Sequence, residues 1–279
     1  MKRIISLKML PRFKRALLEE EKSKATVDKY IHDVKVFLEF SLSRAVDKNL
    51  VIEYKSYLID KYAPTSANSM LSALNEFFRF LGWGELTVKK FRVQKDAFCP
   101  EERELTKEEY LSLVRAAKKQ NNCRLALIIQ TICASGIRVS ELPYITVEAI
   151  ARGEAVVDCK NKLRRIFIVT TLQKILAAYA KENKISAGPI FITRNGNPIT
   201  RNNIWREMKA LCKEARVNEK KVYPHNLRHL FATTFYKTEK DIAKLADILG
   251  HTSINTTRTY ITTSSKEHKR KLENMRLII

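Results

Sequence analysis

Residues 223–260, YPHNLRHLFATTFYKTEKDIAKLADILGHTSINTTRTY, decide how the chain is read. His225 and Arg228 stand three positions apart, one turn of a helix, so their side chains share a face and can address one phosphate. Gly250 and His251 follow, and nine residues after His251 comes Tyr260. Arg138, in the upstream run SGIRVSEL, supplies a second guanidinium. Two guanidiniums, two imidazoles and a phenol describe a phosphate site with a nucleophile and no metal ligands. His225 and His229 do have H-x-x-x-H spacing, yet no Asp, Glu or Cys lies suitably near and the Glu of a zincin is missing. No metal and no cofactor is therefore expected.

Charge points the same way. The 279 residues carry 52 Lys and Arg against 30 Asp and Glu, a formal charge of +22, far more than solubility requires. A polyanionic partner follows, nucleic acid before any other. The excess is shared, +7 over residues 1–97 and +15 over the rest, so both halves can touch one polyanion. An apolar content of 45% fills a real core, in one large domain or two ordinary ones. The five cysteines, Cys99, Cys123, Cys133, Cys159 and Cys212, are odd in number and form no C-x-x-C pair. That favours a reducing, cytoplasmic setting over a disulfide frame or zinc ribbon. The opening MKRIISLKMLPRFKR carries charge throughout, so no leader is expected, and no run approaches a membrane span.

Residues 1–97 read as four helices. One short helix covers about residues 10–20. Apolar stripes at helical spacing follow Thr26 (Val27, Tyr30, Ile31, Val34, Phe37, Leu38) and Asp47 (Val51, Tyr54, Leu58). A third stripe, Met70 to Leu81, starts after Pro64-Thr65-Ser66 and stops at Gly82. His32 is expected at the surface or packed between helices, and the interleaved lysines offer a phosphate-gripping face. The apolar period fades near residues 92–102, which read as a connector.

In the remainder, Thr106 with Glu109 fits a capping box, and RLALIIQTICASG is an apolar helix ending at Gly136, just before Arg138. Glu141, three residues on, is placed to steer that guanidinium. Residues 155–158 and 165–169 suit a hairpin with Lys160 and Lys162 near its turn. A helix over about 172–181, a turn at Asn195-Gly196 and a helix over 202–215 complete the approach to residue 223.

Arg138 in GIRVSEL, a hairpin lysine, HNLR, LGH and a terminal tyrosine, in that order and spacing, resemble the tyrosine recombinase family, in its two-domain Xer-like form. The resemblance implies a mainly α fold with a small β-hairpin. Residues 1–97 would form a helical, SAM-like core-binding domain, and residues 98–279 an α+β catalytic domain with a C-terminal tail helix. It implies a site-specific recombinase or integrase working through a 3′-phosphotyrosine, without metal or ATP. Arg138 and Arg228 would clamp the phosphate, His251 would add a hydrogen bond, His225 would manage the phenol proton and Tyr260 would attack. Lys160 would protonate the leaving 5′ oxygen. The hairpin run CKNKLRR lacks the family's glycines, however, which leaves Lys162 as a rival and Arg164 or Arg165 as the basic residue after the turn. Double-stranded DNA is the implied partner, together with further copies of the chain, assembled as a tetramer through the tail. A type IB topoisomerase and an inactive DNA-binding regulator use parts of the same set.

Overall fold

The computed structural model describes residues 3–42, 44–93, 104–158 and 163–260. The chain divides into two compact units, Met1–Lys95 and Asp96–Ile279. Most of the expected connector, both hairpin lysines and the tail after Tyr260 lie outside the described residues.

The first unit is built from α1 (Leu10–Glu19), α2 (Lys24–Ser41), α3 (Lys48–Lys61) and α4 (Pro64–Phe80). The caps explain where they start. Helix α2 begins ahead of Thr26 because the Ser23 hydroxyl accepts the Thr26 N–H. Asp47 caps α3 by accepting the Leu50 N–H at 2.8 Å. Pro64 opens α4 from the first helical position, where a missing N–H costs nothing. Phe13, Phe37, Tyr54, Leu58, Phe77 and Phe78 meet in the centre, and His32 is exposed. Two asparagines of α4 then hold the outgoing chain. Asn75 pairs with both backbone groups of Val88 (2.9 and 3.0 Å), and Asn68 does the same for Phe91 (2.9 and 2.7 Å).

The second unit contains α5 (Lys107–Lys119), α6 (Cys123–Ser135), a 3-10 segment (Val139–Tyr144) and α7 (Val147–Arg152). A hairpin of β1 (Glu154–Asp158) and β2 (Leu163–Phe167) leads to α8 (Thr170–Glu182) and α9 (Arg201–Ala215). Then come α10 (Pro224–Glu239), α11 (Ile242–Leu249) and α12 (Ile254–Arg258). Thr106 and Glu109 form the expected capping box in both directions. The main core gathers Leu113, Ile128, Ile129, Leu142, Val157, Leu176, Ile204 and Met208. A smaller cluster, Ala232, Leu245, Leu249 and Tyr260, joins the last three helices.

The hairpin differs from the sequence reading in its second strand. The register runs from Glu154 opposite Phe167 to Asp158 opposite Leu163, so β2 begins two residues before the expected start at residue 165. Strand alternation explains why. Arg164 and Ile166 turn inward while Leu163, Arg165 and Phe167 face out, and an inward arginine hides the strand's apolar signal.

Candidate active site

Glycine ends two of the helices that frame the site. Gly136 closes α6 at φ 62°, and a Cβ there would fall on the Phe231 ring of α10. Gly250 closes α11, also at φ 62°, where a Cβ would fall on the Arg164 side chain. After it the chain folds back, the His251 N–H reaching the Ala246 carbonyl at 3.0 Å, a glycine-ended helix stop that delivers the His251 ring beside α10.

Arg228 is the largest fully buried side chain among the described residues, at 1% exposure. Its Nη1 donates to the Gly136 carbonyl and its Nη2 to the Leu249 carbonyl at 2.7 Å, so the two glycine-ended helices hold it from both sides. Nη2 also lies 3.0 Å from His251 Nε2. Burial, and then the neighbouring Arg138, pull its pKa down to about 10, which leaves it charged at neutral pH. Arg138 is more open. Its Nη1 donates to Glu141 Oε1 at 2.8 Å while its backbone N–H donates to Oε2 at 2.8 Å. Arg164 reaches the same carboxylate at 3.0 and 3.2 Å. Glu141 is 1% exposed, so this is no surface ion pair but a buried carboxylate setting two guanidiniums.

Tyr260, itself buried, sits among three imidazoles. Its hydroxyl is 3.5 Å from His225 Nε2. Its ring is 5.1 Å from that of His229 and stacks on that of His251 at 5.7 Å and 11°. All three histidines are held below the ordinary imidazole pKa, first by burial. His225 then feels Arg228, Arg138 and Arg201, and His251 feels Arg228, Arg138 and Arg164. His229 and His251 are each pulled to about 4. Neutral rings can accept a proton, and His225 is the one within reach of the phenol.

The structure therefore brings Arg138, His225, Arg228, His251 and Tyr260 together, while Lys160 and its rival Lys162 fall outside the described residues. It decides between the two arginines after the turn. Arg164 points to Glu141 with a side-chain exposure of 9%, whereas Arg165, at 70%, faces out toward Glu154 at 3.8 Å. Sequence spacing offers His229 only as half of an H-x-x-x-H pair, and the structure sets its ring against Tyr260 instead. The signal was present, since one helical turn separates it from His225. Among the described residues, no cluster of three or more His, Cys, Asp or Glu could hold a metal ion. The described helices include none long and apolar enough to cross a membrane.

Comparison with known proteins gives the chain a family. Residues 103–267 match the phage integrase family, and residues 10–85 match the phage integrase N-terminal SAM-like domain. The chain belongs to the phage integrase family and is a tyrosine recombinase, a site-specific recombination enzyme by class. Within that class it is similar to Xer proteins. It is 28% identical to tyrosine recombinase XerA of Pyrococcus furiosus, across 97% of this chain and 94% of that one. It is 26% identical to XerD of Staphylococcus aureus, across 92% and 94%. In fold it resembles a lambda integrase dimer bound to a COC′ core site (TM-score 0.73, 19% identity, 92% of this chain and 77% of that one). It also resembles XerH bound to its difH substrate before cleavage (TM-score 0.68, 16% identity, 97% and 99%).

Proposed function

We propose that the chain cuts and rejoins strands of double-stranded DNA through a 3′-phosphotyrosine on Tyr260. The observation that carries the reading is the Tyr260 hydroxyl 3.5 Å from a neutral imidazole, in a cluster that also contains two fixed guanidiniums. The phenol proton passes to His225 as the phenolic oxygen attacks phosphorus, and the bond to the 5′ oxygen breaks. Arg138 and Arg228 stabilise the charge that grows on the non-bridging oxygens, a task that needs fixed donors rather than a metal. His251 is proposed to add a hydrogen bond to the same oxygens. Lys160, with Lys162 as its rival, is proposed to give the 5′ oxygen its proton. The energy of the broken bond stays in the phosphotyrosine, so a second 5′ hydroxyl can rejoin the strand without ATP.

Residues 1–97 are proposed as the core-binding half and residues 98–279 as the catalytic half. The tail is proposed to dock on a neighbouring copy in a tetramer holding two duplexes. Relatives crystallised as a dimer on a core site and as a tetramer on a Holliday junction support this assembly. A nicked duplex, selected by the protein from a random pool, tests the chemistry. A covalent adduct that survives EDTA is expected, and loss of cleavage on chelation would overturn the metal-free mechanism. Crossover products rather than relaxed plasmid separate recombination from topoisomerase action. A chain ended after Ser265 should still bind single sites but fail to pair them.

A 5′-bridging phosphorothiolate identifies the acid, because a thiolate leaves without a proton. Lys160→Ala should cleave ordinary DNA slowly and this substrate almost normally. Rescue of Lys162→Ala instead would move the role to Lys162.

A further inference from the structure

One buried hydroxyl beside Tyr260 has no part in the proposed reaction. Thr257, on α12, is 0% exposed and holds two reactive residues at once. Its carbonyl accepts the backbone N–H of Tyr260 at 3.0 Å, and its Oγ1 lies 2.8 Å from His251 Nδ1. The other ring nitrogen, Nε2, faces Arg228 Nη2 at 3.0 Å. A guanidinium can only donate, so Nε2 accepts. The proton of the neutral ring is then on Nδ1 and is donated to Thr257. In this tautomer His251 has no proton to offer a phosphate oxygen.

A hydroxyl, unlike a guanidinium or a carbonyl, both donates and accepts. We infer that Thr257 is a positioning residue that lets His251 exchange tautomers in place, accepting from Nδ1 while Nε2 faces Arg228 and donating to Nδ1 once a phosphate oxygen faces Nε2. Nε2–H then donates to that oxygen. The proton balance closes through water, which takes the Nδ1 proton and returns one to Nε2, and the ring is neutral before and after the exchange. Burial and three nearby guanidiniums keep His251 uncharged at neutral pH, its pKa near 4, so the position of its proton is free to vary while its charge is not. Because Thr257 also carries the Tyr260 backbone, the stacked rings keep their spacing as the proton moves.

The inference rests on the proposed role of His251, and its test separates the two. Thr257→Val keeps the shape and removes the hydroxyl, whereas Thr257→Ser keeps the hydroxyl. With the full chain and a duplex selected from a random pool, adduct formation at saturating DNA should slow about three- to tenfold in Thr257→Val, the worth of one hydrogen bond. DNA affinity should be unchanged, and Thr257→Ser should restore the rate. A purely structural Thr257 would instead tolerate valine and leave the rate alone.

Nitrogen-15 NMR of His251 in the unmutated chain gives the direct readout, independent of how the variants fold. Nδ1–H is expected without phosphate and Nε2–H with inorganic phosphate. Equal rates for Thr257→Val and the unmutated chain, or one tautomer under both conditions, overturns the inference. If the unmutated chain forms no adduct, the proposed function fails, and the same NMR comparison on Thr257→Val, which should no longer show the exchange, still decides the role of Thr257.

Discussion

The two units bury different things. In the first, Phe13 lies edge-on to Phe77 at 4.9 Å and Phe37 meets Tyr54 at 4.9 Å, so the centre is aromatic and aliphatic. In the second, the largest fully buried side chain is a guanidinium, and a carboxylate with two more guanidiniums lies close by. An apolar centre repays folding through the area it removes from water. A buried charge repays it poorly, because desolvation offsets most of what its partners return. The second unit thus spends stability on holding charges still, which is what a phosphate in transition requires.

Five experiments can break or sharpen this contrast. The largest effect belongs to the proposed nucleophile. Tyr260→Phe should bind DNA and form no adduct at all, as read by denaturing gel, and a persisting adduct would place the nucleophile elsewhere. Next comes Arg228→Ala, which should lower the cleavage rate by about 10²–10³-fold and also destabilise the second unit, since two buried carbonyls lose their donor. Hydrogen exchange read by mass spectrometry should localise that loss to the helices around α10. By contrast, Phe77→Ala should cost the first unit about 3–5 kcal/mol while leaving the chemical step of bound protein untouched. Single-turnover cleavage at saturating DNA checks the second half of that statement.

Acid gives a smaller, graded effect. The folded pKa values of His225, His229 and His251 lie below the unfolded value, so the unfolded chain binds more protons. Stability linked to them is complete above about pH 6.5 and is lost as pH falls from there toward about 4. Melting followed between those limits should show the second unit weakening, and His229→Gln should flatten the dependence. A pH profile that His229→Gln leaves unchanged would remove that ring from the trio around Tyr260. The smallest contrast is within β2. Arg165→Ala should change stability by less than about 0.5 kcal/mol, whereas Arg164→Ala, which strips a partner from buried Glu141, should cost several times more.

The same contrast sets how much the sequence disclosed. Helices of the first unit could be read because their stripes and caps are local, with Asp47 and Pro64 marking starts by chemistry confined to one turn. The residues proposed to react, Arg138, His225, Arg228, His251 and Tyr260, were legible from residue type and order. The grip on Arg228 was not, because its carbonyl partners lie 92 and 21 residues away and carbonyls carry no sequence signature. For the same reason Thr257 read as one threonine among several. The early start of β2 was hidden by Arg164, whose inward side chain looks polar in a list and behaves as part of the interior.

The glycine that ends α6 also says something about how such a chain can vary. A methyl group at position 136 would meet a rigid ring on α10 and would disfavour the backbone turn whose carbonyl holds Arg228. At Gly84 the same methyl group meets nothing within 4 Å, and no positive φ stands in its way. A library of single substitutions selected for strand transfer should therefore pass alanine at position 84 and reject it at 136. The spacing between a helix end and a ring it never bonds to would then appear as a fixed letter in the surviving sequences.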